Sequence, residues 1–94
     1  MANSGSKSTV TPLKIRQWAE QRDGKPAIVK DSDKNGGGLL RINFPGYAED
    51  NLEEISWDRF FTIFEDSKLK FLYQEETKDG ETSRFSKFVS REEN

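Results

Sequence analysis

Histidine and cysteine are both missing from the 94 residues, which removes the commonest general base and the usual soft metal ligands together. Acid–base or nucleophilic chemistry would have to come from carboxylates, lysines, tyrosines and hydroxyls. Asp31, Asp33, Asn35 and Gly36 spell the opening of a calcium loop, where alternate oxygens converge on the ion and the glycine makes the sharp turn. The position where such a loop needs a bidentate glutamate is Ile42, so weak calcium binding at Asp31, Asp33 and Asn35 is the most this pattern predicts. Gly36 to Gly38 resemble a phosphate cradle, but a cradle opens a helix whose amides and dipole meet the anion, and LLRINF follows as a strand. Glu49, Asp50, Glu53 and Glu54 crowd four carboxylates, yet catalytic acid pairs need burial or a like charge to split their proton affinities. These lie in a polar stretch and read as solvated. The expectation is a non-enzyme with no catalytic residue, no cofactor and no metal.

Length and charge narrow the class further. A chain of 94 residues makes one domain that buries about 60–65% of its unfolded surface, enough for one modest core. No apolar run approaches the ~20 residues of a membrane helix, and MANSGSKSTV is polar where a secretion signal would be apolar. With no cysteine, these features predict a cytoplasmic protein without membrane contact. Residues 1–30 carry six basic and two acidic side chains, whereas residues 31–94 carry nine basic and fifteen acidic ones. That asymmetry suits either two mutually attracting faces or a basic face for an acidic partner.

The chain reads as an α+β domain with element order α-β-β-α-β-β, an antiparallel sheet packed with two helices. Residues 1–9 and 90–94 are polar and read as disordered tails around a single domain at 10–89. Thr11 and Pro12 open the first helix, as hydroxyl cap and first-turn proline. Ile15, Trp18, Ala19 and Arg22 share its face, and Gly24 suits a left-handed stop before Pro26. AIVK at 27–30 and the alternating LLRINF at 39–44 read as strands, and 47–54 as an acidic surface loop. Ser56 caps a second helix, Ile55 can staple onto Phe60, and Trp57, Phe60, Phe61 and Phe64 form an aromatic stripe expected to be the core.

Leu69 to Val89 spell a hairpin. Asp79-Gly80 suits a two-residue turn, which sets Lys78 opposite Glu81, Glu75 opposite Arg84 and Phe71 opposite Phe88. Leu69, Phe71, Tyr73 and Phe88 then share one face, expected on the aromatic helix. Lys70, Leu72, Gln74, Phe85, Lys87 and Val89 share the other, which the first helix either covers or leaves as a mixed apolar and basic contact surface. An open edge at AIVK or SRFSKFV could also pair with a second copy, so a monomer or a weak homodimer is expected.

The strings IRQWAEQRDGKPAIVK, LLRINFPG, LEEISWDRFF, FLYQEETKDGE and SRFSKFVSR resemble a family of short uncharacterised bacterial proteins, cyanobacterial ones included, over nearly all of residues 13–91. Some members of that family carry a glucan branching enzyme label. Such enzymes work on a (β/α)₈ barrel of roughly 250 residues, which a 94-residue span cannot build. The resemblance therefore implies one compact domain and brings no activity with it. The functional expectation is a non-enzymatic protein–protein interaction module, with Lys70, Leu72, Gln74, Phe85, Lys87 and Val89 plus Lys14 and Arg16 as candidate contacts. The alternative is nucleic-acid binding by the basic first helix (Lys14, Arg16, Arg22) or by the Lys/Phe hairpin face, against which stands a pI near 5.2.

Overall fold

In the computed structural model, residues 6–34, 37–47 and 50–91 are described. They form β1 (Lys7–Thr9), α1 (Pro12–Glu20), β2 (Lys25–Val29), β3 (Leu40–Asn43), β4 (Leu52–Glu54), α2 (Trp57–Asp66), β5 (Leu69–Tyr73) and β6 (Ser86–Ser90). The strands make two antiparallel sheets, ordered β1-β5-β6 and β3-β2-β4. The fold is α+β, with two strands more than the periodicity predicts. β1 lies in the segment expected as a tail, pairing Ser8 with Leu72, and β4 lies in the expected acidic loop, pairing Ala27 with Glu54. Both are three residues long with little apolar content; the bare edges of β5 and β2 recruit their backbone groups, so side-chain alternation does not announce them. At the other end, Ser90 and Arg91 are also tied down: the Arg91 amide donates to Lys68 O at 2.9 Å, and its Nε to Leu69 O at 2.6 Å.

The helix starts follow the sequence in one case and depart from it in the other. Ser56 caps α2 by accepting the Arg59 amide at 3.1 Å. Thr11 occupies the N-cap of α1, but its side chain makes no capping bond; its amide instead donates to Thr9 Oγ1 at 3.0 Å. At the end of α1 the left-handed residue is Asp23 (φ 59°), not Gly24. Gly24 and Asp23 donate to Ala19 O and Glu20 O in the paired bonds of a Schellman stop. Gly24 is required for a different reason: a Cβ there would stand 2.6 Å from Ile42 Cγ2. Pro26 sits within β2, past the end of β4, where the Ile55 amide donates to its carbonyl and only one ladder donor is forgone.

The core is aromatic and lies between the two sheets and the helices. Ile15, Ile28, Phe60, Phe64 and Phe71 have no exposed surface. Trp18 meets Phe71 and Phe44 edge to face at 5.3 and 5.8 Å, and Phe60 meets Phe88 likewise at 5.7 Å. Of the expected stripe on α2, Phe60 and Phe64 face the core, while Trp57 and Phe61 stack on each other at its half-buried margin. Asp33, one of the expected calcium ligands, is ion-paired to Arg59 at the start of α2. Asp31 lies 3.9 Å from Lys34, and the third expected ligand, Asn35, falls outside the described residues.

Phe60→Ala should destabilise the protein by about 3–5 kcal/mol through lost burial and a cavity, read as a lower urea midpoint of tryptophan fluorescence. The Arg91 guanidinium, 2.8 Å from Glu65, holds the Glu65 carboxyl below the usual range by a hydrogen bond, with burial opposing and Lys68 assisting. The folded value being depressed, this favourable contribution is present above the unfolded value and lost as pH falls through the folded one. In Arg91→Gln the Glu65 titration midpoint, followed by its carboxyl carbon shift, should return toward that of an ordinary glutamate.

Candidate interaction surface

The neck of the hairpin decides which side chains face outward. Strands β5 and β6 keep the predicted register, with Phe71 opposite Phe88 and Lys70 opposite Val89, but the turn differs. The Thr77 amide donates to Glu81 O at 2.7 Å and the Gly80 amide to Thr77 O at 3.0 Å, so the loop holds three residues, Lys78-Asp79-Gly80, with Gly80 at φ 82°. Pairing then runs Glu76 with Thr82 and Ser83 with Glu75, and returns to the earlier register where the Gln74 amide meets Phe85 O. Arg84 is the extra residue of a bulge. It is not opposite Glu75; its guanidinium lies over the Tyr47 ring, 4.8 Å from the centroid.

Arg22 holds this bulge. It follows α1, is only 8% exposed, and its guanidinium donates to Ser83 O, Glu75 O (3.0 Å) and Trp18 O (2.8 Å). It also stacks on the Trp18 ring at 4.4 Å, with the Glu75 carboxylate 3.7 Å away. Burial pushes the Arg22 guanidinium down from its ordinary value, Glu75 pulls it back and Arg84 opposes. Arg22, expected on a basic helix face for nucleic acid, is instead a structural cation committed to backbone carbonyls. Arg16 is likewise engaged, at 3.0 Å from Glu20 on the helix surface.

Both helices pack on the same side of the β5–β6 ribbon: Trp18 of α1 on Phe71 and Tyr73, Phe60 and Phe64 of α2 on Phe88. The opposite face, with Lys70, Leu72, Gln74, Phe85, Lys87 and Val89, is therefore covered by neither helix. Leu72 and Val89 are half-buried and Phe85 is 44% exposed. The molecule measures 19 Å along its shortest axis, room for two layers about 10 Å apart and no third. Lys14 and Arg16, grouped with this face on sequence, lie on α1 across the sheet from it; Lys14 instead borders a shallow 150 Å³ cleft with Glu75.

Periodicity missed a second feature beside that face. A groove of about 440 Å³ runs between β6 and the β3–β4 side, floored by Ile42, Phe44 and Phe88 and rimmed by Arg41, Tyr47, Arg84 and Lys87. None of its described lining residues is acidic, an inversion of the chain's net charge of -2. Arg41 was legible as the outward residue of LLRINF, and Arg84 and Lys87 as hairpin cations; that they converge depends on the bulge and on the approach of the two sheets. A further 510 Å³ cleft mixes Asp23, Lys25, Asn43 and Glu54, and neither it nor the groove is lined by a ring of α2. Among the described residues there is no cluster of three potential metal-ligating side chains, and no helix is long and apolar enough to cross a membrane.

No protein-family model, curated protein or solved structure matches the chain.

Arg22→Met should cost about 3–5 kcal/mol, because three carbonyls lose charged donors. Hydrogen exchange at the Ser83 amide should accelerate more than global unfolding alone requires.

Proposed function

We propose that the protein is a non-enzymatic interaction module that binds a protein partner through the β6 side of the β1-β5-β6 sheet. The observation that carries this reading is the one-sided packing: α1 and α2 both occupy the inner face, and Leu72, Phe85 and Val89 remain on an outer face that neither covers. Apolar groups interleaved with Lys70 and Lys87 have the makeup of a transient protein contact, whose apolar centre is ringed by polar groups. The residues also argue against chemistry. With neither histidine nor cysteine in the chain, and with its most deeply buried guanidinium bonded to carbonyls, little remains to move a proton or attack a carbon. The nucleic-acid reading is weakened by the commitment of Arg22 to the fold and of Arg16 to Glu20.

The test is site-specific photocrosslinking in the native host, with benzoylphenylalanine at Phe85 and, as control, at Leu13, an exposed position on α1. A discrete protein adduct at Phe85, absent at Leu13 and removed by Leu72→Lys, is expected. Leu72→Lys should leave the urea midpoint within about 1 kcal/mol of the parent. Equal, diffuse labelling at both positions would refute the reading.

A further inference from the structure

The groove has the features of a slot for one more strand. In the β5–β6 ladder the Gln74 amide bonds Phe85 O and the Arg91 amide bonds Lys68 O, so alternate residues Phe85, Lys87, Val89 and Arg91 face β5. Ser86 and Phe88 therefore direct their N–H and C=O groups away from β5, and no group among the described residues bonds them from outside the sheet. In the other sheet the Val29 amide bonds Leu39 O, which by the same alternation turns the backbone of Leu40 and Ile42 away from β2. Ser86, Phe88 and Ile42 all line the groove, so two sheet edges border it, that of β6 open and that of β3 with its Leu40 carbonyl already accepting from Arg41 Nη1 at 2.8 Å. Edge strands are usually kept short or covered. β1 and β4 follow that rule at three residues each, whereas the edges at the groove, β3 and β6, have four and five.

We propose that this groove seats an extended acidic peptide, which adds as a strand to the β6 edge while its carboxylates meet Arg41, Arg84 and Lys87. The proposal rests on the reading of the β6 side as the binding surface and names the partner's chemistry. Charge complementarity selects the acid: none of the three cations has an ion-pair partner among the described residues. The edge selects a peptide, because it presents carbonyls as well as amides. A polyphosphate backbone would meet those carbonyls as one acceptor meeting another, while a peptide strand supplies donor and acceptor in alternation. Strand periodicity sets the sequence pattern. Successive side chains of an added strand point to opposite sides, one set onto Ile42, Phe44 and Phe88 and the other toward the cationic rim, so acidic and apolar residues alternate in the ligand.

The experiment uses an end-blocked, fluorescein-labelled peptide of alternating glutamate and valine, about six residues long, a typical strand length. Anisotropy and amide shift mapping on the whole protein are the readouts. The expected result is binding below about 1 mM, with shifts centred on Ile42, Ser86 and Phe88. Arg84→Glu with Lys87→Glu should weaken it about tenfold or more, while Lys14→Glu, the same kind of charge change on α1, should alter it less than about twofold. A peptide N-methylated at alternate residues, unable to donate to the edge, should also lose about tenfold or more. Urea midpoints of the variants separate lost binding from lost folding. Unchanged affinity for the N-methylated peptide, shifts away from the groove, tighter binding of a charge-matched oligothymidylate, or occupation of the β6 edge by a second copy in sedimentation would each overturn the proposal. So would no binding at about 1 mM. A Phe85 adduct in cells without peptide binding would remove the groove proposal and leave the interaction reading standing; peptide binding at the groove without that adduct would keep the β6 side as the binding surface and move the contact from the outer face to the groove.

Discussion

One guanidinium determines how the outer side of this protein is arranged. Arg22 leaves the end of α1, passes over the Trp18 ring and donates to the carbonyls of Trp18, Glu75 and Ser83. Two of those carbonyls belong to the stretch where the hairpin ladder shifts by one residue. A bulge leaves backbone groups without ladder partners; Glu75 O also accepts the Ser83 amide, but Ser83 O is bonded by Arg22, and a buried carbonyl without a donor costs about 1–3 kcal/mol. The cation therefore does more than link a helix to a hairpin: it makes the shifted register tenable. Ser83 turns inward to 3% exposure as a result, and Arg84 turns outward over Tyr47.

The second constraint is the shortage of layers. Aromatic rings from α1, α2, β5 and β6 meet Phe44, just past the end of β3, in one cluster, and filling it takes the apolar faces of both helices. Among the described residues neither helix is left to cover the far side of β1-β5-β6. The same shortage leaves β3 and β6 as sheet edges, since among the described residues β1 and β4 are the extra strands and both are already paired elsewhere. An uncovered sheet face and an uncapped edge thus arise from one cause, and they share strand β6. Lys87 belongs to both, as a member of the outer face by register and as a lining residue of the groove.

The legible parts of the fold are those where side chains alone carry the information. The Ser56 cap, the stripe on α2 and the pairing of Phe71 with Phe88 follow from helical and strand periodicities and were readable residue by residue. The turn is ambiguous in sequence for a physical reason: Asp79-Gly80 fits a two-residue loop as well as the end of a three-residue one, and Arg22, sixty-one positions before Ser83, favours the longer loop and its bulge. Gly24 likewise reads as a helix stop, when its small size serves the approach of Ile42.

The amino-acid order by itself therefore determined the class of the protein: a small α+β domain, an aromatic core built on α2, and a closing hairpin with one apolar face. These follow from local periodicity and from cap and turn residues, which need no distant partner to be read. Tertiary structure alone decided that KST and LEE become strands, that Arg22 is structural, and that Arg41, Arg84 and Lys87 gather at one groove. Those outcomes depend on backbone groups seeking partners across the fold and on a cation buried between elements far apart in the chain, and neither leaves a pattern in neighbouring residues.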